Sequence, residues 1–378
     1  MLNKEDLIRY NRQIIIPEFG QEGQQRLLDS SVLVIGAGGL GAPILQYLTA
    51  AGVGHIGVVD FDEVSLSNLQ RQVLFTTEEV GESKVIKAKK RLEKLNPFIK
   101  FEVFDEPINS QNAMEIIKSY GLVVDGSDNL ATRYLVNDAC YFLDKPLIYG
   151  AIFRFEGQVS VFNFKDEDGQ NGPNYRDLFP SPPPPEMVPS CSEGGVLGVL
   201  PGIIGSMMAN EAIKVLARIG EVLSGKLFVF DALDFSTFQL TIEKNVENPI
   251  SGKRPTITEL IDYESFCMGE ISEETIAEVT VKDLQKMMQD DRAEILDVRE
   301  DYEYEIANLN GRLIPLNKVI HLSREIPKDK PVVVMCKSGT RSKKAIQLLK
   351  SEGFENLLNL KGGIDAWRKE IDPSLEVY

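Results

Sequence analysis

The chain has 378 residues, 43% hydrophobic and 26% charged, which supplies substantial cores and predicts two domains or more. A formal charge of −16 argues against binding nucleic acid through its phosphates and against an anionic membrane, since both call for clustered Lys and Arg. The N-terminal MLNKEDLIRYNRQIII carries charge where a secretory segment is apolar, and Cys140, Cys191, Cys267 and Cys336 lack regular spacing; a cytoplasmic setting with individual thiols is expected.

From residue 31, short β-branched runs alternate with longer helical periods: SVLVIG, APILQYLTAAG, HIGVVDFD, KVIKAKKRLEKLN, IKFEVF, LVVDGSDN. This rhythm predicts an α/β domain with a doubly wound parallel sheet. IYGAIFRFEGQVSVFNF and KLFVFDALDFSTFQLTI follow with period-two alternation and predict antiparallel strands. Between them, NGPNYRDLFPSPPPPEMVPS holds four consecutive prolines and is expected to be a mobile, extended surface loop leading to Cys191. GGVLGVLPGIIGSMMANEAI, broken by Gly and Pro, predicts a buried helix and no membrane span. KNVENPISGKRPTIT has no apolar period and is expected to be linker. A second unit begins with VTVKDLQKMM and EILDVRE, continues through PVVVMCKSGTRSKKAIQLLKSEG and closes on LKGGIDAWRKEI. The expected division is 1–245, a linker over 246–274, and 275–378.

Gly36, Gly38 and Gly41 form G-x-G-x-x-G between a strand and a helix, the arrangement that lets backbone amides and a helix N-terminus meet phosphate. Asp60 stands nineteen residues past Gly41 at the end of the next apolar strand, placed for ribose hydroxyls. Alone, these residues fit an NAD-dependent oxidoreductase or a glycine turn kept for packing. Asn68, Arg71 and Lys84 add an amide and two cations, more positive charge than hydride transfer needs and suited to a triphosphate. Asp128, after an apolar strand, is placed to hold Mg2+. No G-x-x-x-x-G-K-[ST] occurs, so the chain is not a P-loop enzyme.

Cys336 ends an apolar strand and opens a helix, where backbone N–H groups and the helix N-terminus meet its sulfur, with Lys337 and Arg341 nearby. These are the surroundings of a reactive thiolate. Cys140 and Cys267 fall in apolar periodic contexts and read as packing residues, and neither His55 nor His321 lies in a motif.

RYNRQI (9–14), GAGGLG (36–41), DFDEVSLSNLQRQ (60–72), SDN (127–129) and EGQVSVF (156–162) together resemble the ubiquitin-activating E1 superfamily, in particular its MoeB and ThiF type. The resemblance covers about residues 1–245. It implies a Rossmann-like adenylation domain with a mixed sheet and an antiparallel extension. It further implies that ATP adenylates the C-terminal glycine of a ubiquitin-like sulfur carrier ending in Gly-Gly. By the same resemblance Gly36, Gly38, Gly39 and Gly41 cradle the nucleotide, Asp60 holds the ribose, Asn68, Arg71 and Lys84 bind phosphates, and Asp128 binds Mg2+. Arg12 resembles an arginine that reaches the γ-phosphate held by the neighbouring subunit, implying a homodimer. Many members also carry a structural zinc on two C-x-x-C pairs; here Asn174 and Asp177 occupy the first, and NPISGKRP has no cysteine, so no structural zinc is expected.

C-x-x-G-x-R (336–341), LDVRE (296–300), GRLIP (311–315) and KGGIDAW (361–367) resemble rhodanese sulfurtransferases in order, over about 275–378. This implies a second, small α/β rhodanese domain in which Cys336 carries a persulfide and Arg341 and Asp297 shape its loop from below. In similar proteins the crossover-loop cysteine, here Cys191, takes the activated acyl group or joins a disulfide with the carrier. The two halves together imply an adenylyltransferase and sulfurtransferase that makes a carrier thiocarboxylate with a persulfide or thiosulfate as donor. A Rossmann oxidoreductase and a non-catalytic carrier-binding module are the alternatives. Carriers for molybdopterin, thiamine, cysteine or tRNA sulfuration all fit the motifs.

Overall fold

A computed structural model describes residues 2–166, 169–183, 195–268 and 276–376. The chain forms two units that divide between Glu270 and Ile271. The first is built on an eight-stranded sheet: β1 (Ser31–Ile35), β2 (His55–Val59), β3 (Lys100–Phe104), β4 (Leu122–Asp125), β5 (Leu147–Phe153), β6 (Glu156–Phe162), β7 (Lys226–Asp231) and β8 (Thr237–Thr241). The strands lie in the order β3-β2-β1-β4-β5-β6-β7-β8. Pairing is parallel from β3 to β5 and antiparallel from β5 to β8, as the change from helical connections to period-two alternation predicts.

Strand β1 shows how the sheet buries both faces. Val32 and Val34 point into one core, with helices Gly41–Ala51 and Leu200–Ala217, while Leu33 and Ile35 point into the other, with helices Ala113–Lys118 and Leu130–Phe142. Successive strand side chains face opposite ways, so a continuous apolar run is what a doubly covered strand requires. Helix Gly41–Ala51 stops at Gly52, whose φ of +91° supplies the left-handed cap.

Two expectations need correction. NGPNYRDLF is not extended loop throughout: Tyr175–Leu178 is a helical turn capped by Asn174, and Arg176 is fully buried, paired with Asp138 at 2.7 Å. Residues 184–194, with the prolines that follow and Cys191, lie outside the described residues. The expected linker is also folded as far as residue 268, as part of the first unit. Ile250 and Tyr263 are buried, and the Tyr263 hydroxyl donates to Asp138 Oδ2 at 2.8 Å, where Arg176 is already bound. A buried carboxylate that accepts from both Arg176 and Tyr263 ties three distant segments together, which a search for apolar periodicity does not register.

The positions expected to carry zinc-binding cysteines in the family are joined by hydrogen bonds. Asn248 Nδ2 donates to Asp177 Oδ1 at 2.7 Å and to Asn174 Oδ1 at 3.2 Å, and Asn174 Nδ2 donates to Ser251 Oγ at 2.9 Å. Asn248 Oδ1 accepts the backbone N–H groups of Ile250 and Ser251, so Asn174, Asp177, Asn248 and Ser251 pin these two segments to each other.

The second unit has a five-stranded sheet of β9 (Glu278–Val279), β10 (Glu294–Asp297), β11 (Arg312–Leu313), β12 (Val332–Met335) and β13 (Leu357–Leu360), in the order β11-β10-β12-β13-β9, with every pairing parallel. Val332 and Val334 enter one core, Val333 and Met335 the other. Among the described residues no helix is long and apolar enough to cross a membrane.

Candidate adenylation cradle and persulfide loop

In the first sheet the chain runs from β1 to β2 on one side and places β4 on the other, so the strand order reverses between β1 and β4. Ligands of doubly wound sheets bind outside the carboxyl ends of the strands at such a point. Two loops meet here. Gly36, with φ +87°, donates its N–H to Val59 O at 2.7 Å, and a Cβ on it would lie 3.1 Å from Gly126 O. Gly41 opens the following helix so close to the turn that a Cβ would fall 1.9 Å from Gly36 O. Only glycine fits, and the close approach leaves the loop amides and the helix N-terminus facing one crevice.

Asp60 is bound into this loop. Its Oδ2 accepts the Ala37 N–H at 2.7 Å and its Oδ1 the Asp62 N–H at 2.8 Å. Burial pushes the Asp60 carboxyl above its ordinary value, opposed by Lys84 and these two N–H donors. Lys84 is itself buried: its Nζ meets Asp62 Oδ2 at 2.8 Å and its backbone N–H meets Asp62 O at 3.0 Å. Asp62 therefore clamps Lys84 and Asp60 into one assembly.

Asn68 closes a 3-10 turn, Leu66–Asn68, and its carbonyl accepts the backbone N–H groups of Arg71 and Gln72 at 3.0 and 2.9 Å. Arg71 Nη1 donates to Ser67 O at 3.1 Å. This turn lies against the glycine loop, since a Cβ on Gly39 would meet Arg71 Cγ at 3.7 Å and Pro201 Cβ at 3.2 Å. Asp128 is exposed in the loop after β4. Its neighbours are fastened: Asp125 Oδ1 accepts the Ser127 N–H at 2.9 Å, Arg133 donates to Ser127 O at 3.3 Å, and Asn129 caps helix Leu130–Phe142.

Gly36, Gly38, Gly39, Asp60, Asn68, Arg71 and Asp128 thus lie on loops at the carboxyl edge of adjacent strands or turns packed upon them, and Gly41 and Lys84 open the helices Gly41–Ala51 and Lys84–Leu95 that follow. Arg12 is placed differently, exposed on the short helix Asn11–Ile14, which packs with the neighbouring N-terminal helices and takes no part in these bonds. The glycine cradle and its buried lysine fit a nucleoside triphosphate. The lone carboxylate Asp128 fits Mg2+, an ion bound by one or two carboxylates together with substrate phosphates.

In the second unit Cys336 follows the central strand β12 and is 1% exposed. Its Sγ accepts the Gly339 N–H at 3.1 Å, and the Ser342 hydroxyl lies 3.4 Å away. That hydroxyl also reaches Asn359 Oδ1 on β13 at 2.7 Å. The KGGIDAW segment supports the loop from behind: Ile364 and Asp365 donate backbone N–H groups to Cys336 O and Lys337 O. A Cβ on Gly363 would lie 2.3 Å from Lys337 O and 2.4 Å from Cys336 O, which explains the second glycine of that motif.

Arg341 and Asp297 are both engaged, Asp297 within its own LDVRE motif and Arg341 with a partner outside the motifs. Arg341 makes a two-pronged pair with Glu303, and Asp297 pairs with the buried Arg299 at 2.6 Å. Arg299 also donates to Glu303 O at 3.4 Å and to Ala307 O at 2.7 Å, so Glu303, at the end of a capping box begun by Glu300 and paired with Arg341, joins the loop to β10's flank. Asp62 and Gln72 are the corresponding omissions in the first unit. Asp62 had a readable signal, an acid two residues after Asp60. Cys140 is fully buried, its thiol pushed up by burial, and Cys267 is pushed up to about 11 for the same reason, in keeping with packing roles.

The fold and its two loops define a nucleotide-binding activating domain joined to a rhodanese-type thiol domain. Residues 10–250 match the ThiF family and residues 280–370 the rhodanese-like domain, and the chain belongs to the ThiF family with a C-terminal rhodanese domain. Over its whole length it is 45% identical to the probable adenylyltransferase/sulfurtransferase MoeZ of Mycobacterium tuberculosis, covering 96% of that protein. It is 41% identical to the adenylyltransferase and sulfurtransferase MOCS3 of Drosophila grimshawi, covering all of this chain and 87% of that one. Over 70% of this chain it is 57% identical to the sulfur carrier protein adenylyltransferase of Thermus thermophilus, covering 97% of that protein. Among solved structures, PaaA aligns over 65% of this chain and 76% of its own, at a TM-score of 0.53 and 24% identity, a likeness of fold.

Proposed function

We propose that the protein adenylates the C-terminal glycine of a ubiquitin-like sulfur carrier and converts the activated carboxyl to a thiocarboxylate. The Asp60–Asp62–Lys84 assembly at the glycine loop carries this reading. It holds a buried cation beside a ribose-site carboxylate, the pairing a nucleoside triphosphate requires. Attack of the carrier carboxylate on the α-phosphorus brings two anions together and expels pyrophosphate. Lys84, Arg71 and Asn68 offset the charge on the phosphates, and the glycine-loop amides receive the phosphate oxygens. Mg2+ bound at Asp128 supplies further charge neutralisation when present.

Sulfur then comes from Cys336. Its persulfide, with the terminal sulfur cradled by loop amides such as Gly339 N–H, attacks the acyl adenylate carbonyl and displaces AMP, leaving an acyl disulfide. A second thiol attacks the Cys336 sulfur of that disulfide, releasing the thiocarboxylate and forming a new disulfide. Cys191 is our choice for the chain's own thiol in this step or as acyl acceptor. Two-electron reduction of that disulfide by an external dithiol frees both thiols, and thiosulfate or a donor persulfide then reloads Cys336.

The protein acts in the cytoplasm as a homodimer, with Arg12 crossing to the partner's triphosphate. Ile8, Ile15 and Ile16, exposed on the same N-terminal segment as Arg12, supply an apolar surface for that contact. The test is the intact mass of small carriers ending in Gly-Gly after incubation with the protein, Mg-ATP and thiosulfate. One oxygen replaced by sulfur supports the whole reading; an adenylated carrier without sulfur removes the rhodanese step; no change in any carrier removes both.

A further inference from the structure

Gln72 follows the phosphate-site arginine and is 4% exposed. Its backbone is fixed, the N–H bonded to Asn68 O at 2.9 Å and the carbonyl accepting Phe75 N–H at 3.1 Å. Its side chain turns toward the glycine loop, where a Cβ built on Gly38 would lie 3.5 Å from Nε2. Among the described residues no donor reaches its Oε1, which is buried and without a hydrogen-bond partner. A buried carbonyl left unpaired is costly, and such a group in a ligand crevice marks a partner that arrives with the ligand.

The missing partner must be a donor. The phosphates of ATP and the attacking carboxylate only accept. The ribose hydroxyls and the adenine amino group are donors, but both belong to the nucleoside, which Asp60 holds at the end of β2. The remaining donor that comes to the α-phosphate is the peptide N–H of the carrier's own terminal glycine, one residue's length from the carboxylate that reacts. We infer that Gln72 Oε1 accepts this N–H and so orients the terminal carboxylate toward the α-phosphorus, a contact that rests on the carrier reading above. Gln72 is then a residue that recognises a peptide C-terminus in extended form, distinct from the cations that hold ATP.

Gln72→Met keeps the length of the side chain and removes its polar atoms. Melting of the ligand-free protein is expected to stay constant or rise, because an unsatisfied group is lost. Mg-ATP affinity without carrier is expected to hold within about 2-fold, while kcat/KM for carrier in pyrophosphate release falls roughly 10-fold, the worth of one good hydrogen bond. The decisive arm uses a semisynthetic carrier ending in sarcosine (N-methylglycine), which lacks the N–H. It is expected to cost the wild type about 10-fold and the variant nothing further. A lower melting temperature, a loss confined to ATP affinity, or an equal sarcosine penalty in both proteins overturns the contact while leaving carrier activation standing. A wild type inert toward every Gly-Gly carrier overturns the functional reading and this contact with it.

Discussion

Arg341 and Glu303 form a two-pronged ion pair, with both guanidinium nitrogens 2.6–2.7 Å from the two carboxylate oxygens, and this pair fastens the helix end of the Cys336 loop to the flank of β10. Glu303 is 4% exposed at its side chain and Arg341 16%, so the pair is largely shielded from water. Glu303→Ala is expected to cost about 2 kcal/mol, because a half-buried guanidinium loses a two-pronged carboxylate partner. Urea unfolding of the second unit reads the stability, and thiosulfate-to-cyanide transfer reads the displaced loop. Unchanged transfer would show that the pair does not shape the site.

Asp128→Ala and Cys336→Ala are expected to separate the two half-reactions. The first lowers carrier adenylation by about 100-fold or more while thiosulfate-to-cyanide transfer persists. The second abolishes that transfer and leaves pyrophosphate release intact. Loss of both activities in either variant would contradict the division of labour.

Gly363→Ala has no room for its methyl group, which would fall against the carbonyls of Lys337 and Cys336, and φ is +60° there. The loop must move, so sulfur transfer is expected to drop by more than 10-fold with adenylation unaffected. Wild-type transfer by this variant would mean that the KGGIDAW segment does not set the loop.

Asn248 is fully buried and holds the two segments where the resemblance leads one to expect zinc-binding cysteine pairs. Asn248→Ala is expected to destabilise the first unit by roughly 3 kcal/mol through several unmet hydrogen bonds. Treatment of the wild type with a strong zinc chelator is expected to leave its melting unchanged. A chelator-dependent fall in melting temperature would show that a metal, and not this cluster, pins the segments.

Asp125 is fully buried at the end of β4, and burial raises its carboxyl above the ordinary value, with Arg133 opposing. A carboxyl raised on folding costs nothing below its unfolded value, near pH 4, and costs progressively more as pH climbs through the folded value. Asp125→Asn keeps an acceptor for Ser127 N–H and removes the charge. It is expected to raise the melting temperature at pH 7 by about 2–4 °C and to show no gain near pH 4. A gain that grows on acidification would reverse the sign and refute the cause.

The motifs made most of the cradle legible. GAGGLG is readable because each glycine answers a steric demand within a few residues, as the Gly36–Gly41 approach shows. CKSGTR is readable for the same reason, since Gly339 must take φ +102° to aim its N–H at Cys336. Glu303 and Gln72 were not legible. Glu303 reads as one acid in a helical run of acids, and its meaning comes from Arg341, thirty-eight residues away. Gln72 looks like any polar residue in NLQRQ until burial shows that its carbonyl has no partner.

By itself the sequence determined the local order: which runs become strands, where the sheet turns antiparallel, which glycines open toward phosphate and which thiol ends a strand. These follow from side-chain period and backbone sterics, which act over a few residues. Tertiary structure decided which polar groups meet. It placed Asp62 between Asp60 and Lys84, drew residues 246–268 onto the first unit through Asp138, Arg176 and Tyr263, and built the Asn174–Asp177–Asn248–Ser251 cluster. The reason is physical: a buried hydrogen bond or ion pair depends on the three-dimensional approach of two groups and on the water removed from them, and neither is written in the spacing of residues along a chain.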